Sequence, residues 1–278
     1  MLLQHFILTR FNLLLWQKDK EGSKVRTIKW LEHRFSLYEK YCFPSIKGQT
    51  CQDFEWIVLF DSKTPEPFMA KIADYQRECP QMIPVFVEPY NGRFFAEIFR
   101  TEIVKRLKAE RVLTTYLDND DALNVKFVED LQHRALSLAD GSFVYYKDGY
   151  QYYTDYKYLM QIHYPRNHFV SVVERGDPTT VKGIFGYGGH YHIDEIEGAK
   201  IERITDQPMW CEVIHGKNML NDAYFLGAKM IRDENRLRCE FAIEESVKYG
   251  IKLYVFRFLP RYLRTFVKRS KRYIKRKW

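Results

Sequence analysis

Arg111-Val112-Leu113-Thr114-Thr115-Tyr116-Leu117-Asp118-Asn119-Asp120-Asp121 decides how this chain folds. Seven mostly β-prone residues run without polar alternation and then stop on three acids within four positions. A run of that kind reads as a strand covered on both faces, as in a parallel sheet. The acids mark where it emerges.

The same pattern recurs on either side. Gln4 to Thr9 (QHFILT) predicts a buried strand, and Phe54 to Phe60 (FEWIVLF) a second that closes on Asp61. Ile83 to Val87 predicts a third, short or at an edge because Pro84 and Pro89 bound it. Phe143 to Tyr146 predicts another. Helical spacing falls between them. Arg26 to Tyr41 carries Ile28, Leu31, Phe35, Tyr38 and Tyr41, and Pro65 to Glu78 has proline in its first turn. Phe94 to Ala109 and Val125 to Ala139 complete the set. Strand and helix alternating over 140 residues predict an α/β fold, Rossmann-like, with a mostly parallel sheet flanked by helices. Ligands of such sheets bind beyond the carboxyl ends of the strands. That rule puts Arg10 to Asn12, Asp61 and Asp118 to Asp121 on one rim.

The second half is less regular. Tyr145 to Tyr158 is rich in tyrosine and Lys182 to Gly189 (KGIFGYGG) in glycine, which predicts loops and short strands. The glycine run follows no strand–helix unit, so a phosphate-cradling loop is not expected; a lid over the site is the functional reading. His190 and His192 could chelate a metal but have no further ligands nearby in sequence.

Composition narrows the class. With 46% hydrophobic and 29% charged residues among 278, the chain is globular. Its net charge of +8 is local. From Arg257 to Trp278 there are ten Lys/Arg and no acid, leaving 34 Lys/Arg against 36 Asp/Glu elsewhere. Five cysteines without a C-x-x-C spacing suggest neither a disulfide framework nor a zinc site, and fit a reducing compartment. The apolar N-terminus lacks the layout of a signal peptide, and no stretch reaches the length of a membrane span. A cytoplasmic protein, peripheral on the inner face of the cell membrane, is the expectation. Residues 251 to 278 form the basic tail. Leu259, Leu263, Phe266, Val267 and Ile274 recur there at near-helical spacing among the cations, as in a helix lying on an anionic membrane. No nucleic-acid reading module accompanies that charge, so no nucleic-acid partner is expected.

The acid turn suggests metal chemistry. Close carboxylates repel by roughly 1–4 kcal/mol per pair, and a divalent cation removes that cost. Mg²⁺ and Mn²⁺ take one or two carboxylates plus substrate phosphates and stabilise charge on a diphosphate leaving group. The plain alternative is an acidic turn that starts the next helix.

A second segment adds a resemblance. Pro44-Ser45-Ile46-Lys47-Gly48-Gln49-Thr50-Cys51-Gln52-Asp53-Phe54-Glu55-Trp56-Ile57-Val58-Leu59-Phe60-Asp61 resembles the corresponding signature of family 2-type GT-A glycosyltransferases. Thr9-Arg10-Phe11-Asn12, the stretch from Arg34-Phe35 to Pro44-Ser45, and Pro208-Met209-Trp210-Cys211-Glu212-Val213-Ile214-His215-Gly216-Lys217-Asn218 are similar to the bacterial rhamnosyltransferase family. The likeness spans roughly residues 4 to 222. It implies a GT-A domain over 1–250, with a nucleotide-binding half (1–140) and an acceptor half (141–250).

By this resemblance Asp61 contacts the nucleotide, with Arg10 and Asn12 beside it. Asp118 and Asp120 hold the metal and diphosphate, with Asp121 adjacent and His215 as a late metal ligand. The family pattern carries a second acid near Asp61; here Ser62 follows. The implied reaction is an inverting transfer from a nucleotide-sugar donor to a saccharide or lipid-linked acceptor, in surface polysaccharide or lipopolysaccharide synthesis, with Mn²⁺ or Mg²⁺. It needs a general base. Asp206 ranks first, Glu212 second because burial in its apolar run would raise its pKa, and Glu174 third. Trp210 could stack on a sugar or belong to the core. Two rival readings are a nucleotidyltransferase, which would carry a glycine-rich loop where Arg10-Phe11-Asn12-Leu13 stands, and a non-catalytic carbohydrate- or membrane-binding protein with a degenerate site.

Overall fold

The computed structural model describes residues 3–15, 24–215 and 228–250, together with positions 259 and 263. The basic tail apart from those two positions lies outside the described residues, as does the Gly216-Lys217-Asn218 end of the late motif.

The first half follows the predicted order. Strand β1 is Leu3–Arg10, and helix α1 is Ile28–Leu37, capped by the Thr27 side chain. One π-helical turn, Tyr38–Cys42, leads into α2, Phe43–Lys47. Then come β2 (Glu55–Asp61), α3 (Glu66–Glu78), β3 (Met82–Val87), α4 (Phe95–Arg106), β4 (Arg111–Tyr116), β5 (Ala122–Leu123) and α5 (Phe127–Ala135). The helix expected to end at Tyr41 instead continues through the π turn to Lys47, with Pro44 in the first turn of α2, where a missing N–H is tolerated.

The remaining strands are β6 (Ser142–Tyr146), β7 (Asp148–Tyr153), β8 (Tyr158–His163), β9 (Val170–Arg175), β10 (Lys200–Ile204), β11 (Trp210–Ile214) and β12 (Lys229–Met230), before the short helix α6 (Arg236–Phe241).

Among the described residues, seven strands form the main sheet in the order β10-β6-β9-β4-β1-β2-β3. β3, β2, β1 and β4 pair in parallel, and β9 alone runs antiparallel to its neighbours. β3 is an edge strand, as its prolines predicted. Alternate residues serve opposite faces. Ile7, Trp56, Val58, Phe60 and Leu113 join one core cluster, while Phe6, Leu8, Ile57, Leu59 and Val112 join another. Both faces are covered, which is why these strands read as continuous apolar runs.

The second half holds a sheet of its own, β12-β8-β7-β11-β5. Tyr150, Tyr152, Cys211 and Val213 face a third cluster, and Tyr153, Trp210 and Ile214 face the main core. Gly149 lies so close to the Trp210 indole that a Cβ there would sit 2.2 Å from the ring. The acid turn is the hand-over between the sheets: β4 ends at Tyr116 in the first and β5 begins at Ala122 in the second.

The Ser45–Thr50 segment fastens that hand-over. The Gln49 amide donates to Ser45 O and Asn124 O, both at 2.8 Å, and its oxygen accepts from Val128 N at 3.0 Å. Thr50 N donates to Val125 O at 2.7 Å. All five cysteines are free, and among the described residues no helix is long and apolar enough to cross a membrane.

Candidate active site

β1, β2 and β4 are parallel, so their carboxyl ends share one rim. Arg10–Asn12, Asp61 and Asp118–Asp121 all stand there. Asn12 ties two of these turns together. Its Oδ1 accepts from Asp61 N at 2.9 Å and its Nδ2 donates to Thr64 Oγ1 at 3.0 Å. The Asp61 carboxylate is buried, accepts from Lys63 N at 2.7 Å and pairs with Arg26. Asn119 joins the third turn to the first, donating to Phe11 O at 2.8 Å. Phe11 itself is core, against Phe35, Tyr38 and Phe60.

Each acid of the turn already has a basic partner. The Arg10 guanidinium lies 3.7 Å from Asp118, hydrogen-bonds Tyr116 Oη at 3.0 Å and sits among the rings of Phe95, Tyr116 and Phe185. Asp120 Oδ2 accepts from Arg34 Nη1 and from His215 Nε2, both at 2.9 Å. Asp121 Oδ2 lies 2.8 Å from His168 Nε2, and its Oδ1 accepts from Val213 N at 2.8 Å. The repulsion that would call for a dication is thus largely offset within the chain.

These partners act differently. Burial works against the Asp120 anion, but the Arg34 charge and the His215 hydrogen bond outweigh it and hold its carboxyl well below the usual range. Burial pushes Asp121 up to about 8, against the pull of His168. Burial also disfavours the His168 cation, yet the bond to Asp121 raises it to about 9. The Asp121–His168 pair therefore keeps a proton at pH values where a lone imidazole has lost it.

The expected ligands Asp118, Asp120, Asp121 and His215 do not converge on one point. Ligand-capable atoms of Asp118, Asp121 and His168 lie within 4.8 Å of one another, whereas Asp120 bonds His215 and Arg34. Two carboxylates and an imidazole fit a divalent cation, and the imidazole suits Mn²⁺ better than the oxygen-preferring Mg²⁺.

Glu212 is brought to this cluster and Asp206 is not. Glu212 projects from β11 on the face shared by Trp210 and Ile214, buried and hydrogen-bonded by Gln151. Burial raises its pKa, His168 and Gln151 oppose that, and Asp120 and Asp118 add to it. Asp206 is 52% exposed and pairs with Arg134 of α5 at 3.0 Å. It follows β10, three strands from β4 or about 14 Å across the sheet. Glu174 lies at the other end: it pairs in register with Val112, at the start of β4, and accepts from Lys182 N and Gly183 N at 2.9 and 2.8 Å.

Other expectations are settled by packing. Trp210 is core, stacked on Phe169 at 4.9 Å with its Nε1 donating to Tyr146 O at 2.7 Å. The first part of the glycine-rich stretch is packed into the fold. Gly183, at φ 70°, tucks against Ile103, and Phe185 packs on Phe95, Phe99 and Tyr116 behind Arg10. The His190 ring lies 6.0 Å from that of His168, while His192 is exposed and bonds Glu195. Sequence reading missed Arg34, His168 and Arg26. Arg34 alone left a trace, inside the segment that carried the family likeness.

Residues 4–224 match the family model described as "Putative rhamnosyl transferase". The chain belongs to this family. The family is one of glycosyltransferases, and its match ends just past the acid turn's last partner, His215. Among solved structures, Staphylococcus aureus TarS is similar at 10% identity and TM-score 0.39, covering 76% of this chain and 37% of that one. TarS 1–349, alone and in complex with UDP, is similar at 11% identity and TM-score 0.41, covering 76% of this chain and 60% of that one. No curated protein matches.

Proposed function

We propose that this member of the rhamnosyl transferase family moves a sugar from a nucleoside diphosphate donor to a hydroxyl of a saccharide or lipid-linked acceptor, with inversion, in surface polysaccharide or lipopolysaccharide synthesis. One observation carries the reading: a buried carboxylate, Glu212, stands across from an acid turn at the carboxyl rim of a parallel sheet, inside the matched family region. Rhamnose is the donor sugar suggested by the family description alone.

The residues divide the work. Asp61, with Arg26 and Asn12, faces the nucleoside end, and Arg10 stands beside Asp118 toward the phosphates. Asp118, Asp121 and His168 would hold Mn²⁺ or Mg²⁺. Bound there, the ion supplies Lewis acidity toward the diphosphate oxygens. Glu212, with its pKa raised by burial, accepts the acceptor hydroxyl's proton. The freed oxygen bonds to the anomeric carbon while the bond from that carbon to the diphosphate oxygen breaks, and its electron pair leaves with the nucleoside diphosphate. Asp206 is too far from the cluster for this task. Ten cations in the last 22 residues support docking on an anionic membrane at the cytoplasmic face, where a lipid-linked acceptor would lie.

The test is nucleoside diphosphate release from a panel of UDP-, dTDP- and GDP-sugars with Mn²⁺, using wild type and Asp121→Asn. Donor-specific release lost in the variant supports the reading; equal release in both rejects it. A nucleotidyltransferase is disfavoured, since Phe11 fills the core where that class needs a flexible glycine turn. A degenerate binding protein is disfavoured by the complete set of partners around the turn.

A further inference from the structure

The carboxyl rim of the main sheet carries an exposed apolar face outside the candidate site. After β3 the chain makes a 3₁₀ turn, Pro89–Phe94, on the same rim as Asp61. Tyr90 is 74% exposed and Phe94 44%. Leu14, two residues past Asn12, is 36% exposed. The two segments touch. Gly92 lies so close to the chain leaving β1 that a Cβ there would sit 3.3 Å from Leu14 N and 3.4 Å from Leu13 Cβ. Arg93 lies over both rings, 4.6 Å from the Tyr90 centroid and 4.7 Å from that of Phe94, and donates to Tyr90 Oη at 3.0 Å. Single exposed apolar side chains are ordinary on a protein surface, but adjoining ones mark a contact. This face also adjoins the site: Phe95, next after Phe94, has its ring centroid 4.7 Å from the Arg10 guanidinium.

Charge identifies what covers it. Arg93 is exposed and pairs with no carboxylate among the described residues. Glu88, just before the turn, is already engaged by Ser62 Oγ at 2.8 Å and Lys63 Nζ at 4.0 Å. A guanidinium spread on two exposed rings, one bearing a hydroxyl, offers apolar surface and a cation together. That is the chemistry of the boundary between lipid headgroups and acyl chains. The chain has a second attraction to such a surface. Its last 22 residues hold ten cations and no acid, and Leu263 among them is 53% exposed. One membrane signal alone gives marginal binding, whereas two together give a stable seat.

We infer that Leu14, Tyr90, Arg93 and Phe94 seat this rim on an anionic bilayer, with the apolar side chains at the acyl boundary and Arg93 on lipid phosphates. This rests on the membrane docking proposed above and extends it from the tail to the rim. A basic tail alone attracts the chain to the surface but leaves the orientation of the sheet free. A second contact beside Arg10 fixes that orientation and turns the site toward the lipid, where a lipid-linked acceptor would lie.

The experiment is sedimentation of the full chain with phosphatidylcholine vesicles, with and without phosphatidylglycerol, at low and high salt. It is run on wild type, Tyr90→Ser/Phe94→Ser, Arg93→Gln and Tyr90→Trp. Wild type should bind the anionic vesicles and bind pure phosphatidylcholine far less. Loss of both rings should weaken binding about tenfold to a hundredfold. What remains should be more salt-sensitive, because charge alone then holds the chain. Arg93→Gln should weaken it about fivefold, one basic residue's share. Tyr90→Trp should keep the affinity and add fluorescence that brominated lipid quenches, beyond any quenching of the chain's own tryptophans. That variant removes neither ring, so it tests the seat even where the double variant folds poorly. Wild-type affinity in the double variant, or no added quenching in Tyr90→Trp, overturns the inference. A solution dimer that the double variant abolishes assigns the face to a second copy and overturns it too. No vesicle binding by wild type overturns it together with the membrane docking, while nucleoside diphosphate release from a soluble donor decides the transfer reading separately.

Discussion

Asp120 and Asp121 are neighbours in sequence and both are buried, yet their carboxyls are shifted in opposite directions. Asp120 points toward α1, where a guanidinium that never loses its proton holds it as an anion. Asp121 points toward His168, just before β9, and toward the backbone of β11, where burial dominates and its partner is titratable. A fixed cation makes a permanent pair. A titratable one makes a place from which a proton can leave when something else arrives. Charge pattern along a chain cannot show this difference; it depends on which base each carboxylate meets.

The largest effect expected from this contrast belongs to the Asp121 side. Glu212→Gln keeps the shape and removes the proposed proton acceptor, so kcat should fall by about 10²–10⁴ with donor KM little changed. A parallel fall in KM and kcat would place Glu212 elsewhere. Next, Asp121→Asn should weaken Mn²⁺ at least about tenfold to a hundredfold, the loss known from outer-shell partners alone. Equal Mn²⁺ affinities for Asp120→Asn and Asp121→Asn would erase the contrast.

pH sharpens it further. His168 is raised to about 9 and Asp121 to about 8, so below those values a metal must displace a proton. Apparent Mn²⁺ affinity should rise about tenfold or more per unit between pH 7 and 8, and flatten above 9. A pH-independent isotherm over that window would break the assignment. Stability carries the two signs separately. The raised His168 pKa contributes stability present below about 6.5, the ordinary imidazole value, and lost as pH climbs through 9. The depressed Asp120 contributes stability present above the ordinary carboxyl range and lost as pH falls. Melting curves should show His168→Gln flattening the alkaline limb and Asp120→Asn the acid limb. The smallest effect is the control: Asp206→Ala should keep kcat/KM within about twofold, because its side chain is half exposed and tied to Arg134.

Gln49 shows how a residue of a family signature can serve the fold and not the chemistry. It marks the family, but its side chain touches no acid of the turn. It clamps the chain just beyond, through three buried hydrogen bonds. Gln49→Ala should cost about 3 kcal/mol of stability by leaving backbone groups unpaired, with a normal donor KM in the folded fraction.

By itself the sequence determined the sheet, because strands covered on both faces must be continuously apolar, and parallel pairing then sends every strand's polar terminus to one rim. It placed Arg10, Asn12, Asp61 and the acid turn together for that reason, and the apolar run around Glu212 already implied the burial that raises its pKa. Only the tertiary structure decided which bases the acids meet. Arg34 lies 86 residues from Asp120 in sequence, and His168 lies 47 from Asp121. Neither carries a local pattern that distinguishes it from any other arginine or histidine. The second sheet was equally hidden, since its strands β7 and β11 pair across some sixty residues and each alone is a short tyrosine-rich or mixed run. Local periodicity records what a residue's own element buries. Partnership across elements is set by how those elements pack.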